Sequence, residues 1–437
     1  MGQMIEPIVR CGVIASLIFS ASAIAQDAQY EVNFDVGVAA SDNIGRTPDT
    51  EVDPALDETI LLGGMDFLVV DSARRWVVDL RGSISHYQYQ DETYDDETLS
   101  TINGSGRFVL AEDYLDWDIQ ANHGQQILNP FEPITPENRE NVTFVSTGPR
   151  FSVPLGVRTY LTGNVSISDV TYEVRPIDNS RLGAGLGLSR AIAPTKTLSL
   201  NASVEEIEYE ESSLFAPIDR QNYYLAYEVE GARSQLTANL GWTVLERAEE
   251  QGDGYLLELN WTRELSALST FTLNAGSNYS TDGDIFRLNQ ELDDINRGTQ
   301  DVQGIDDPFR HDYIRLRYSL NGTRTTFSIG IHMDREAYES STILDRDLEG
   351  INILLRRDIT PSLQFSLFGG YIGRDYNNLS SNDDELRYGA SISWSIARTV
   401  SIELRAENWT RETSTASNEF EENRAMLKFI YTPVSRR

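Results

Sequence analysis

The chain has 437 residues and a formal net charge of −32, from 68 acidic against 36 basic side chains, and Lys196 and Lys428 are its only lysines. That charge argues against a nucleic-acid partner, while 40% hydrophobic and 10% aromatic residues argue against disorder along the whole length. No apolar run reaches the ~18 residues of a spanning helix, which excludes a membrane helix bundle but not a membrane β-barrel.

Taken in chain order, the first segment stands apart. Arg10 precedes the apolar run CGVIASLIFSASAIA, which ends in Ala23-Ile24-Ala25. This reads as a signal peptide over residues 1–25, leaving 26–437 as one domain. Cys11, the only cysteine, falls inside that segment, so the mature chain is expected to fold without disulfides.

From Tyr30 onward the period is two. In YIRLRYSL, Ile314, Leu316, Tyr318 and Leu320 share one face, and Tyr313, Arg315, Arg317 and Ser319 share the other. The pattern recurs in Leu236 to Val244, Tyr255 to Trp261, Leu386 to Ile396 and Val400 to Leu404. Breaker clusters at 71–75, 112–114, 154–157, 193–196, 231–234, 266–268, 321–324, 360–362 and 397–399 alternate with longer polar loops. Nine short turns and ten long loops predict about 20 antiparallel strands, within a range of 18–22. A propeller would need four short strands per 40-residue unit, and each unit here holds two long runs.

The fold class predicted is therefore all-β, a transmembrane antiparallel up-and-down β-barrel. Nothing is left over to cover some twenty half-apolar strands, so closure against lipid is the solution that leaves no edge. Aromatics near the run ends fit interfacial girdles: Trp76, Trp117, Tyr160, Phe271 and Phe327 near the short turns, and Tyr87, Tyr89, Tyr172, Tyr209, Tyr279, Tyr338, Tyr376 and Trp409 near the long loops. The long loops are acidic. Residues 281–310, the longest loop, hold eight acids and three arginines.

Within that loop, Ile285, Leu288, Leu292 and Ile295 fall at helical spacing with Asp284 at the N-cap position. An amphipathic helix there, carrying Asp293 and Asp294, is expected to fold into the mouth as a constriction. The inward rows are expected to line a channel with Asp79, Arg81, Glu258, Arg315, Arg317, Arg387, Glu403 and Arg405.

The final strand, Arg424-Ala-Met-Leu-Lys-Phe-Ile-Tyr431, resembles the signal by which the barrel assembly machinery recognises its clients. The opening Val36-Gly-Val-Ala-Ala-Ser-Asp-Asn-Ile-Gly-Arg-Thr47 resembles that of the β-barrel porin family often found with exopolysaccharide synthesis and export systems. The resemblance implies an outer-membrane barrel serving polysaccharide secretion, and it carries over no catalytic residue. Asp42-Asn43 is also what a turn requires.

No catalytic motif or cofactor signature accompanies this pattern. His86, His123, His311 and His332 lack metal-ligand spacing, and the acidic loops lack the ligands of an EF-hand. His332, Asp334 and Glu336 share one strand face without a serine motif. The expectation is thus a non-enzymatic channel in the bacterial outer membrane for a hydrophilic solute, with polysaccharide export as its service. Its partners would be outer-membrane lipid and lipopolysaccharide, the assembly machinery, and polysaccharide with its export components. The alternative is a non-conducting structural or polysaccharide-binding barrel.

Overall fold

The structure, a computed structural model, describes residues 28–48, 55–248, 250–292, 299–300, 307–379 and 381–436. The signal-peptide segment 1–25 and Asp293, Asp294 and Ile295 lie outside these residues. Among the described residues, 20 antiparallel strands form one closed barrel. They are β1 (Gln29–Ser41), β2 (Glu58–Ala73), β3 (Trp76–Tyr89), β4 (Glu97–Ala111), β5 (Leu115–Ile127), β6 (Arg139–Pro154) and β7 (Thr159–Tyr172). Next come β8 (Asn179–Ala193), β9 (Lys196–Tyr209), β10 (Ile218–Gly231), β11 (Ser234–Arg247), β12 (Glu250–Ser266) and β13 (Ser269–Ser280). The circuit ends with β14 (Phe309–Asn321), β15 (Thr325–Tyr338), β16 (Arg346–Thr360), β17 (Leu363–Tyr376), β18 (Ser381–Ala397), β19 (Val400–Thr413) and β20 (Phe420–Arg436).

Each strand pairs with its predecessor, and β20 returns to β1 with Val36 opposite Phe429 and Val38 opposite Leu427. This seam removes the last free edge, so strand backbones find partners around the whole circumference. Short turns gather at one end and long loops at the other. The turn at 112–114 needs a left-handed residue, and Asp113 supplies it at φ 65°.

The period-two pattern decides the two faces. Leu200, Leu240, Val36 and Leu186 point outward with 65%, 62%, 61% and 58% of their surface uncovered. Ion pairs such as Lys428 Nζ to Asp35 Oδ2 (3.2 Å) lie on the inward rows. A one-residue slip would exchange these faces, so the alternation fixes the register as well as the strands.

The aromatic pattern divides. Near the short turns, Trp76, Phe108 and Trp117 stand opposite one another across β3, β4 and β5 on the outward face, and Phe271 faces Tyr318 across β13 and β14. Near the long loops the girdle reading fails. Tyr89, Tyr172, Tyr209, Tyr279, Tyr338 and Tyr376 are buried, and Tyr87 and Trp409 line an internal cavity. Parity places all of them but Tyr279 on inward rows, where they pack under the loops instead of meeting the surroundings, while Tyr279 shares the parity of Phe271 and is covered beside Ile207 and Leu245. The apolar clusters of the described residues accordingly sit at the long-loop end, around Val142 and Tyr172, Ile60 and Tyr89, Ile207 and Tyr279, and Phe309 and Tyr338.

Candidate functional site

Two inserts occupy the long-loop end. The first is the helix α1 (Asp282–Leu292), which begins the 281–310 loop. Thr281 is its N-cap. Its carbonyl accepts from the amides of Asp284 (3.0 Å) and Ile285 (3.1 Å), while its own amide donates to Asp284 Oδ2 (3.1 Å). Asp284 is therefore the third helical residue of a capping box rather than the N-cap, because a carboxylate in the first turn can reach back to the cap amide.

The same carboxylate anchors α1 to the wall. Arg181 Nη1 donates to Asp284 Oδ1 (3.1 Å) and Arg220 Nη1 to Asp284 Oδ2 (2.8 Å), and Arg220 also pairs with Glu205. Burial alone would raise the Asp284 carboxyl, but the Arg220 and Arg181 guanidiniums override it and hold it well below the usual carboxylate range. Gly283 makes room for this contact. A Cβ there would lie 2.4 Å from Arg181 Nη2.

Phe286 is fully buried among Val142, Phe144, Val170, Tyr172 and Ile177, while Ile285 packs with Phe309 and Tyr338. The first turn of α1 thus bridges β6–β8 to β14–β15. The predicted stripe included Ile285 but not Phe286, because a helix wedged between two walls buries adjacent residues in different directions. Leu288 and Leu292 lie within the helix. Beyond it, Thr299–Gln300 pairs in parallel with Gln125–Gln126 of β5.

The second insert, residues 128–138, escaped the sequence reading. Asn138 closes it on itself, donating from Nδ2 to the carbonyls of Asn129 (2.9 Å) and Pro133 (3.0 Å). Its tip reaches distant strands of the barrel. Arg411 of β19 donates to the carbonyls of Glu132 (2.6 Å) and Pro130 (3.2 Å), and the Phe131 ring lies 4.7 Å from that of Tyr376. The available signal was Pro130, Pro133 and Pro136 flanking Phe131 and Ile134: apolar residues on a preorganised loop need a surface to cover.

Between the inserts and the wall lies a cavity of about 400 Å³. Ile285, Ile134 and Pro136 reach it from the inserts, and Tyr87, Tyr89 and Trp409 from the strands. Its charged lining holds seven arginines against four carboxylates, the reverse of the chain's overall balance.

Of the residues expected to line a channel, Arg315, Arg317 and Arg387 border this cavity. Arg405 and Glu403 lie on the inward row of β19 nearer the short turns, with Arg405 Nη2 2.7 Å from Glu407. Asp79 and Arg81 pair with each other at 3.1 Å, apart from the cavity, and Glu258 accepts from Asn239 (2.9 Å) on the neighbouring strand.

The Asp-Asn-Ile element of the first loop serves the seam. Asp42 accepts from the Asn423 amide (2.7 Å), Asn43 Nδ2 donates to the Glu421 carbonyl (3.0 Å), and Ile44 packs with Ile60 and Tyr89. The turn then throws Arg46, at φ 51°, into the lumen, where it pairs with Glu422 (2.9 Å) and lies 4.0 Å from the Trp409 ring. Arg46 was missed because the motif reads as a turn. Its side chain acts two residues beyond.

The histidines divide between the two faces. His311 Nε2 lies 2.8 Å from Asp334, which Arg315 also binds at 2.7 Å, and Glu336 is held by Arg346 at 2.8 Å. His123 bonds Ser100 and Thr143 at 2.8 Å each. Among the described residues no three His, Cys, Asp or Glu side chains converge as metal ligands.

Residues 324–431 match the family model described as putative beta-barrel porin 2. The porin match spans β15 through most of β20, the arc that carries Arg387, Trp409 and Arg424. Similar solved structures include OccK2 (OpdF) from Pseudomonas aeruginosa, at 11% identity and a TM-score of 0.36 over 94% of this chain and 99% of that one. The siderophore receptor PirA from Pseudomonas aeruginosa matches at 9% identity and TM-score 0.43 over 93% and 81%. The FrpB iron transporter from Neisseria meningitidis gives 9% and 0.46 over 93% and 82%. Comparison with curated proteins finds no match.

Proposed function

We propose that this chain is an outer-membrane channel for a hydrophilic solute, and that the solute is a polysaccharide leaving the cell. The observation that carries the channel reading is the sorting of the closed wall. Large apolar side chains stand uncovered on the outside, and arginines and carboxylates fill the inside. In water such a surface would far exceed the apolar patch that a monomer tolerates, whereas hydrocarbon accepts it without cost. A cylinder of 20 strands is wider than side chains alone can fill. The two inserts narrow its long-loop end, as a selective channel requires.

Polysaccharide as the solute rests on the first-strand resemblance, and the porin-family match at the other end of the chain supports the channel reading alone. The non-enzymatic part of the reading is supported by the porin-family match. Liposome swelling is the test. Vesicles carrying the folded mature chain should swell in isotonic sugar solutions at rates that fall with sugar size. Vesicles that swell no faster than protein-free ones would reject passage and leave a structural barrel whose loops meet surface polysaccharide.

A further inference from the structure

The chain's acidity conceals a basic strip inside it. On the inward rows of β18, β19 and β20, cations stand in front of carboxylates: the side chains of Arg387 and Arg405 are 35% and 31% exposed while their shared partner Glu407 is 7% exposed. Arg424 lies in front of Glu422, and Lys428 in front of Asp35, in the same way. The carboxylates neutralise the strip from behind, and the lumen meets mainly N–H donors.

Register turns these residues into a ladder. Arg387 faces Trp409 at the cavity, Arg424 faces Glu407 one step lower, Arg405 faces Met426 in the next row, and Lys428 faces Glu403 below that. Successive rungs are two residues apart, about 7 Å along a strand. Each guanidinium has five donors, and pairing with one carboxylate occupies only part of the fork, which leaves N–H groups for a second oxyanion.

We propose that this ladder is a subsite for the carboxylate groups of an anionic saccharide, passed from rung to rung between the cavity and the short-turn end. The proposal rests on the channel reading and adds the solute's chemistry. A single small anion needs one rung. A repeated row of cations beside Tyr87, whose ring offers the C–H faces of a sugar an apolar surface, suits a chain of charged sugar units. Depth matters as well, because at 1 M salt the acidic loops are screened over about 3 Å while direct contacts in the lumen persist.

The test compares galacturonate pentamer, maltopentaose and inorganic phosphate on the purified chain, both as blockers of single-channel current and as ligands in detergent calorimetry. The pentamer should block and bind about tenfold more tightly than maltopentaose, a difference of the size expected for charge-assisted hydrogen bonds, and phosphate should compete weakly. Arg405→Gln should erase most of that preference. It leaves Glu407 paired with Arg387, so the barrel keeps its ion pair and folding is checked by heat modifiability.

The double variant Lys428→Gln/Asp35→Asn removes a whole pair and should lower the preference again. Equal affinity for the pentamer and maltopentaose, or phosphate binding as tightly as the pentamer, would overturn the saccharide subsite. Pentamer binding without any conductance would reject the channel reading and retain the subsite. Conductance without charge discrimination would do the opposite.

Discussion

Replacing the Asp284 carboxylate by an amide disturbs three contacts together: the cap at Thr281, the ion pair with Arg181 and the ion pair with Arg220. Removing one partner of a buried pair costs about 3–5 kcal/mol, because the remaining charges keep their desolvation. In Asp284→Asn that cost should fall on the docking of α1, giving a noisier and larger channel current in a barrel that still resists heat. A quiet current of parental size would remove the anchor role. The pH dependence follows from the sign of the shift. A carboxyl held below its unfolded value of about 3.9 contributes stability above that pH and loses it only as pH falls through the folded value. Current through the parent should therefore show no helix-linked opening between about pH 8 and pH 5, and opening within that range would show that another group controls docking. Asp284 was visible in the sequence as a helix-start residue. Its two arginine partners were not, since Arg181 and Arg220 are brought to it only by closure of the sheet.

Strands were the most legible elements because their signal is local. Each run of alternation in Leu236 to Val244 or Leu386 to Ile396 states its own faces, and clusters such as Gly231-Ala-Arg-Ser234 mark the turns between them. Inserts were less legible, because what decides their position is the far wall. Phe131 looks like a loop residue until Tyr376 meets its ring and Arg411 takes the carbonyls of its neighbours Pro130 and Glu132, from strands more than two hundred residues later. Likewise Tyr172 and Tyr209 carry the composition of a girdle, and only their parity on the closed barrel turns them inward. The element-scale prediction concerns the two inserts. Replacing 284–297, or residues 129–137, by a short Gly-Ser link should each raise single-channel conductance, and replacing both should raise it more than either alone, since they occupy different sectors of the mouth. The wall keeps its hydrogen bonds in every case. If only one deletion changes conductance, the other insert lies outside the conducting path.

At the scale of the molecule, one sorting rule accounts for most of the design: apolar residues outward, ion pairs inward, edges joined at the β1–β20 seam. The rule predicts depth-sensitive outward positions. Leu240→Arg, on an outward row of β11, should destabilise the barrel in lipid by about 2–4 kcal/mol, while Thr237→Arg, on the inward row opposite Glu228, should cost little. Equal losses in reversible unfolding from vesicles would mean that the faces are misassigned. The overall architecture could be read from the sequence because closure follows from counting half-apolar strands. The cavity could not, because its seven arginines come from loops and strands spread from Arg46 to Arg424. The most direct test of the whole account is single-channel recording of the purified chain in a planar bilayer, beside the variant lacking both inserts. Discrete openings in the parent, and larger ones in the variant, are the predicted result. A bilayer that stays silent with both proteins correctly folded would contradict the central claim that the lumen is a path for solute.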